Sequence, residues 1–587
     1  MRIEVIKPSQ IPDECYDSIV GIDIETEDNK IDSPICMISI YKPKYNVIFV
    51  IGTKVYRRGL LEEIEEDELE ILKDFISRSI FTGANIQFDI SRIAYQWGVK
   101  PKDIYLDTFL IGRMFQMESC KLKDMALKCE PKLSSVIRHF EDIEGTKPPF
   151  VYDIENEATV RYSGLDAYLS FVIISRLAQR IKNYEKVIKV EHNFLRVAID
   201  ENLNGLRIDM NKFRQTSADY EKSVEAKLQE LRDLMGWQGF RPNATADKTK
   251  VFVEQFGCES MHKTRSGAQS TSVEALAQMA DNTNDSYVKD LLIRTIDVNK
   301  EFSVVKGSKK VPDFVIGEDL HFSVEQIGYD GTARIYTKDF SVNQLPKPMR
   351  ASIIPHDGKK FLFFDWSAAE LGILFYWSKC KKGLEWYQNK EDIHTKVMQE
   401  LLQKEEVSKE DRAVSKVLSF ATCYGGNAFT IAKDLNISED EGQEFLDAYN
   451  CLFPEIGRLR AQMVHDAHQN GGTKTIIGRF RKLPALFSSM DSERSSAERQ
   501  VFNTAIQGSC ADLQKIACYH CYQKYRNEGV RVAFQVFDSF LIEVPEDYSE
   551  DQCRKIADEM SEFSEFGIKL NYKMAVGYDW KTLQDLT

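Results

Sequence analysis

Asp538 stands in the middle of FQVFDSFLIEV, residues 534 to 544, a run whose other positions read as a buried strand. An ionised carboxylate left there without a partner would cost several kcal/mol, so it calls for a cation or a hydrogen-bonding neighbour. In GIDIET, Asp23 and Glu25 lie two apart on a strand, leave the same face and can jointly hold a divalent metal. Asp89 follows in NIQFDI, where a loop enters a helix, and YSGLDA places Tyr162 and Asp166 four apart on one helical face. Taken singly, each of these acids reads as a solvated surface carboxylate or a cap. Together, four carboxylates can hold two magnesium ions about 3.5 to 4 Å apart, one generating hydroxide and both stabilising charge on a phosphate. The Tyr162 phenol can orient the attacking water without competing for metal.

A second pattern lies in SKEDRAVSKVLSFATCYGG, which opens with Ser408 and Asp411 in capping-box spacing and closes at Gly425 and Gly426. Between them Arg412, Lys416, Phe420 and Tyr424 recur every four residues and share one helical stripe. Its basic end lies at the helix N-terminus, which attracts a triphosphate, and a base can stack on Phe420. Standing alone, this would be an amphipathic helix with solvated charges.

These groups must be positioned by several structural units. Residues 1 to about 190 alternate short apolar strands with helical segments, which predicts an α/β domain. From 191 to 320 the sequence turns helical and polar. A third region opens on the strand KKFLFFDWS, passes through helices at about 385 to 470 and returns to strands near 531 to 576, the pattern of one sheet interrupted by a helical insertion. The chain of 587 residues is long enough for about four domains. Its 91 acidic and 77 basic residues give a net charge of −14, which argues against a non-specific nucleic-acid coat protein but allows a basic cleft. Twelve cysteines without a repeated CxxC pair predict reduced thiols and a cytoplasmic location. No signal peptide, apolar run of about 18 residues or Walker-type phosphate loop is present, so neither a membrane nor a motor ATPase is expected.

The order DxE, NxxFD and YxxxD, with LDTFL at 106 to 110, closely resembles the DEDDy-type 3′ to 5′ exonucleases. The resemblance implies an RNase H-like α/β domain with Asp23, Glu25, Asp89 and Asp166 as metal ligands and Tyr162 positioning water.

The helix at 408 to 424 resembles the RxxxKxxxFxxxYG signature of family A DNA polymerases. That likeness implies that Arg412 and Lys416 bind the incoming nucleotide's phosphates, Phe420 packs on its sugar and base, and Tyr424 guards the insertion site. KKFLFFDWSAAELG resembles the family's DxSxxEL motif, which makes Asp365 and Asp538 the paired metal-bridging carboxylates and Glu370 the residue that blocks a ribose 2′ hydroxyl. His394 in EDIHT looks like a triphosphate contact. TARIYTKDFSVNQLP retains Arg334, Asp339 and Pro346, the likeness makes Arg334 a DNA contact along with Arg499, Asn503 and Gln507 in AERQVFNTAIQGSCADL, and Lys263 and Arg265 are available to the phosphate backbone. Ser419, Ala421, Gly372, Phe537 and Ser539 depart from the family pattern; the usual VHDE reads VFDS here.

The resemblance implies a right-hand polymerase: thumb at 191–320, palm at 321–384 and 481–587 with an α+β sheet, and helical fingers at 385–480, preceded by the exonuclease domain at 1–190. It further implies a replicative, proofreading enzyme of phage type, monomeric, using primer-template DNA, deoxynucleoside triphosphates and two magnesium ions per site, with manganese as a substitute. Helicase-primase and a processivity factor are the expected replisome partners. A 5′ nuclease domain and a long thumb insertion are expected to be absent. The alternatives from other classes are a DNA-binding accessory protein and a nuclease with a synthesis-deficient polymerase domain.

Overall fold

The computed structural model describes residues 2–141, 152–260, 267, 269–328, 331–338, 341–423, 425–435 and 437–586. Lys263, Arg265, Asp339 and Tyr424 lie outside the described residues, as does the side chain of Phe420. The N-terminal part is a six-stranded mixed sheet in the order β1-β4-β3-β2-β5-β6, from β1 (Arg2–Val5), β2 (Ile19–Thr26), β3 (Ile35–Lys42), β4 (Val47–Gly52), β5 (Ile80–Gly83) and β6 (Asp103–Asp107). β2, β3 and β4 form an antiparallel meander, and β5 and β6 join it in parallel, as an α/β domain requires. Helix α1 (Gln87–Trp97) follows β5, and α2 (Glu157–Asn183) packs across β2, β3 and β4.

Gly21 sets how closely α2 approaches β2. A methyl group there would lie 2.3 Å from the Ala167 carbonyl oxygen, so only glycine allows this contact. The strand carrying Asp23 and Glu25 is thereby pressed against the helix carrying Tyr162 and Asp166.

Helix α3 (Glu185–Asn204) contributes to two cores: Val187, Ile188, Leu195 and Ile199 face the N-terminal core, while Phe194, Val197 and Ala198 face the larger core that follows. The 190/191 boundary thus falls within one continuous helix. Beyond it, α4 (Met210–Met235), α5 (Val273–Asn282) and α6 (Ser286–Ser308) pack around Leu228, Leu231, Leu276, Met279, Leu291 and Leu292. Then come β7 (Lys359–Trp366), the helices α7 (Ala369–Ser378), α8 (Ile393–Leu402) and α9 (Lys409–Cys423), a hairpin of β8 (Gly472–Lys474) and β9 (Phe480–Lys482), and the 35-residue α10 (Asp491–Tyr525). β10 (Arg531–Val536), β11 (Ser539–Pro545), β12 (Tyr572–Gly577) and β13 (Gln584–Leu586) complete an antiparallel sheet in the order β10-β11-β7-β12-β13. Phe364 of β7 and Phe540 of β11 stack at 4.6 Å, fixing the two strands side by side. No helix among the described residues is long and apolar enough to cross a membrane.

Two sets of polar contacts tie these units together. Glu191 of α3 accepts from Arg479 and, at 2.6 Å, from Lys515 of α10; Arg479 also donates to Asp512 at 2.7 and 2.9 Å. Both carboxylates and both cations are buried, so the four charges neutralise one another. Nearby, the Gln116 carboxamide donates to Phe480 O at 2.6 Å and accepts from Lys482 N at 2.9 Å, as a neighbouring strand would.

His356 joins Asp319 at 3.1 Å to Glu543 of β11 at 2.8 Å. Burial alone would lower its pKa, but the two carboxylates outweigh burial and push it up to about 9, against an ordinary 6.5. Because the folded value is raised, the stabilisation is fully present below about pH 6.5 and is lost as pH rises through about 9. Stability measured by denaturant unfolding is expected to fall over that window by up to roughly 3 kcal/mol through this group, and His356→Gln should flatten the decline. An unchanged pH profile in the variant would contradict the assignment.

Candidate active site

β10 and β11 are joined by a two-residue turn, Phe537–Asp538, flanked by the paired residues Val536 and Ser539. Asp538 therefore sits at the tip of a hairpin. Phe537 has φ 56°, a left-handed conformation that such turns ordinarily give to glycine and that costs a non-glycine residue roughly 1–2 kcal/mol. Asp365, near the end of β7, lies opposite Ser539, and Trp366 N donates to Asp538 O at 3.0 Å. The two carboxyl groups thus meet at adjacent strand ends. Burial and the Asp538 charge push Asp365 up to about 7, with Lys573 opposing; burial also raises Asp538, opposed by its own backbone N–H and by Arg334.

Around this pair opens a cleft of about 460 Å³ whose walls include Arg334, Glu370, His394, Arg412, Lys416 and Gln507. Ser408 and Asp411 form the capping box expected at the start of α9, with Asp411 N bonded to Ser408 Oγ at 3.0 Å. One turn further on, Arg412 donates to Asp392 at 2.6 and 3.3 Å. Asp392 also caps α8 through His394 N, so one carboxylate holds both the cation and the helix that carries His394. Burial keeps the His394 pKa below its ordinary value, and the nearby Arg412 and Lys416 charges act in the same direction. Opposite, Arg334 donates to Glu370 at 2.8 Å.

The second acid cluster lies in the N-terminal sheet. Asp89 Oδ1 accepts from Ile24 N at 3.0 Å, which places it against the backbone between Asp23 and Glu25. Burial and the mutual charges of the cluster raise Asp23, and burial with Asp166 and Asp89 lifts Glu25 to about 8, with Lys123 opposing. Burial also lifts Asp89 to about 7 and raises Asp166. Among the described residues no three carboxylate, histidine or cysteine side chains close into a metal cage. The four acids feel one another's charge without sharing one coordination sphere. Tyr162 lies on the same helix as Asp166, with the Lys123 ammonium 5.7 Å from its ring centre.

Residues 210–582 match the family model for DNA polymerase family A. The chain belongs to DNA polymerase family A. It is similar to DNA polymerase I of Chloroflexus aurantiacus, 26% identical over 86% of this chain and 55% of that protein. The thermostable DNA polymerase I of Thermus aquaticus is 24% identical over 72% of this chain and 52% of its own length, and DNA polymerase I of Pseudomonas aeruginosa 24% identical over 89% and 59%. The chain spans a little over half the length of these curated relatives. Its fold is also that of the POL domain of Pol1 from M. smegmatis, solved in complex with DNA primer-template and dNTP, with TM-score 0.79, 19% identity and 99% of both chains covered.

Within this family A chain, Asp365, Asp538, Glu370, Arg334, His394, Arg412, Lys416 and Gln507 line one cleft. Arg499 and Asn503 lie on α10 outside that lining; the Arg499 backbone instead supports Gly425, where a methyl group would come within 3.0 Å of the Arg499 carbonyl oxygen. Sequence reasoning missed Asp392 and Lys123. It also passed over the local role of Asp107, quoted only as part of LDTFL. Buried Asp107 accepts from the N–H groups of Asn85, Ile86, Phe109 and Leu110, and His192 Nε2 accepts from Asp107 N at 2.8 Å. The Asn85–Ile86 turn leads directly into α1, so Asp107 places Asp89. Asp107→Ala would strand the buried N–H groups of Ile86 and Leu110, each worth about 1–3 kcal/mol, and unpair those of Asn85 and Phe109. A thermal transition lowered by several degrees, followed by circular dichroism, is the expected outcome; wild-type stability would contradict this role.

Proposed function

We propose that the chain copies DNA, extending a primer with deoxynucleoside triphosphates, and that its N-terminal acid cluster removes nucleotides from a 3′ end. The observation that carries the synthetic activity is the meeting of Asp365 and Asp538 at adjacent strand ends in a cleft walled by Arg412 and Lys416. Family membership and the primer-template and dNTP bound by the M. smegmatis relative support the same substrates.

The two aspartates fit magnesium: both offer hard oxygen donors, and both are held in surroundings that disfavour their charge until a cation offsets it. When bound, magnesium would activate the primer hydroxyl and neutralise the leaving pyrophosphate, and manganese could take its place. The chain's own groups do the rest. Arg412 exchanges its Asp392 partner for the triphosphate, Lys416 adds a second cation one turn along α9, and the helix N-terminus favours the same anion. Glu370, in the first turn of α7 and in the cleft lining, is the group we assign to refuse a ribose 2′ hydroxyl. A protein that only bound DNA would have no use for a paired, half-buried acid site facing two cations.

For the N-terminal cluster, Asp23, Glu25, Asp89 and Asp166 would be the oxygens offered to a divalent cation, and Tyr162 would be the group that orients water. The close contact at Gly21 supports this assignment, because it presses α2 onto the strand that carries Asp23.

Primer extension with all four deoxynucleotides, run beside degradation of a mismatched 3′ end, tests both activities. Asp365→Ala should abolish extension and leave degradation. Asp23→Ala should do the reverse. Extension by Asp365→Ala, or no extension by the wild type with any divalent metal, would overturn the proposal.

A further inference from the structure

Two non-glycine residues with left-handed backbone, Ala368 and Phe537 with φ of 49° and 56°, line the cleft, and a third, Ala333 with φ 57°, adjoins the cleft residue Arg334. Ala333 precedes Arg334, Ala368 lies two residues before Glu370, and Phe537 carries its own side chain into the cleft lining. The three side chains attached to this backbone touch in series. The Arg334 guanidinium lies 5.5 Å from the centre of the Phe537 ring, and Arg334 donates to Glu370 Oε1 at 2.8 Å. The Phe537 ring is 49% exposed although a packed aromatic core begins three residues later at Phe540. Burial therefore does not explain why an aromatic residue occupies a turn position that glycine would fill without strain. Unfavourable backbone that persists around a cleft is a marker of function.

We infer that Phe537 is a positioning residue for sugar selection: its ring holds the Arg334 guanidinium by a cation–π contact, and Arg334 in turn fixes the carboxylate of Glu370. The ring turns a negatively polarised face toward the Arg334 guanidinium, which also donates an N–H to Glu370. A carboxylate fixed in this way presents a fixed edge to the nucleotide's 2′ position, whereas one free to swing would admit a hydroxyl. The inference rests on the proposed role of Glu370 as sugar gate, and it extends that role to two residues on other elements.

The test is the ratio of kcat/KM for a deoxynucleotide to that for the matching ribonucleotide, measured by single-nucleotide primer extension with the full chain. Phe537→Gly removes the ring and the backbone strain together, so its thermal midpoint should stay at or above wild type while the ratio drops about tenfold. Phe537→Tyr keeps the ring and should stay within about twofold of wild type. Arg334→Gln should match Phe537→Gly, and combining the two should add little to either. A general loss of folding or catalysis lowers both substrates together and leaves the ratio unmoved, which would overturn the inference. So would a wild-type ratio in Phe537→Gly alongside a reduced ratio in Glu370→Ala. If Glu370→Ala itself keeps the wild-type ratio, the gate beneath the inference fails, while extension of a deoxynucleotide primer still reports on the polymerase function separately.

Discussion

Like-charged carboxylates held half-buried beside one another are the constraint around which this chain is arranged. Each cluster disfavours its own ionisation, and the rest of the fold must hold the acids together against that repulsion. In the C-terminal sheet the work is done by strand pairing: the stacked rings of Phe364 and Phe540 hold β7 beside β11, and the two-residue turn then delivers Asp538 to the end of β7. In the N-terminal sheet it is done by a close helix contact at Gly21, by the Ile24 N–H bonded to Asp89, and by Asp107 bracing the turn into α1. Different local devices produce the same electrostatic situation, one that a divalent cation relieves.

The two sites are parts of one covalently and electrostatically connected body. Helix α3 serves both cores, and the buried charges of Glu191, Arg479, Lys515 and Asp512 link it to the hairpin and to α10. Removing any one of these four would leave an uncompensated buried charge, so the network specifies a single arrangement of the units more than it adds stability. Cations inside the cleft around Asp365 and Asp538 are handled differently. Arg412 lies on the surface of α9, paired with an exposed Asp392, a pairing that a multiply charged phosphate can outcompete.

Much of this was legible in the sequence because strand and helix periodicity report directly on which side chains share a face. Asp23 with Glu25, Tyr162 with Asp166, and the stripe from Arg412 to Lys416 follow from spacing alone, and the capping box at Ser408 and Asp411 fixed the start of α9. What spacing does not encode is contact between distant segments. Asp392 and Arg412 are 20 residues apart, Gln116 and Phe480 364 apart, and nothing local marks either pair. Asp107 was masked for another reason: a buried carboxylate that satisfies backbone N–H groups has the same one-letter signature as a surface cap. Phe537 was visible as a departure from the family pattern, but its left-handed backbone and its contact with Arg334 required coordinates.

If crowded acids are the organising feature, neutralising one of them should strengthen the metal-free protein and weaken its response to a divalent metal. The decisive measurement is the thermal unfolding midpoint of wild type and Asp365→Asn across a magnesium titration at neutral pH. The account predicts a wild-type midpoint that rises with magnesium, and a variant that starts at or above the metal-free wild type and responds less. A variant less stable than wild type without metal, or a magnesium response equal in both, would contradict it.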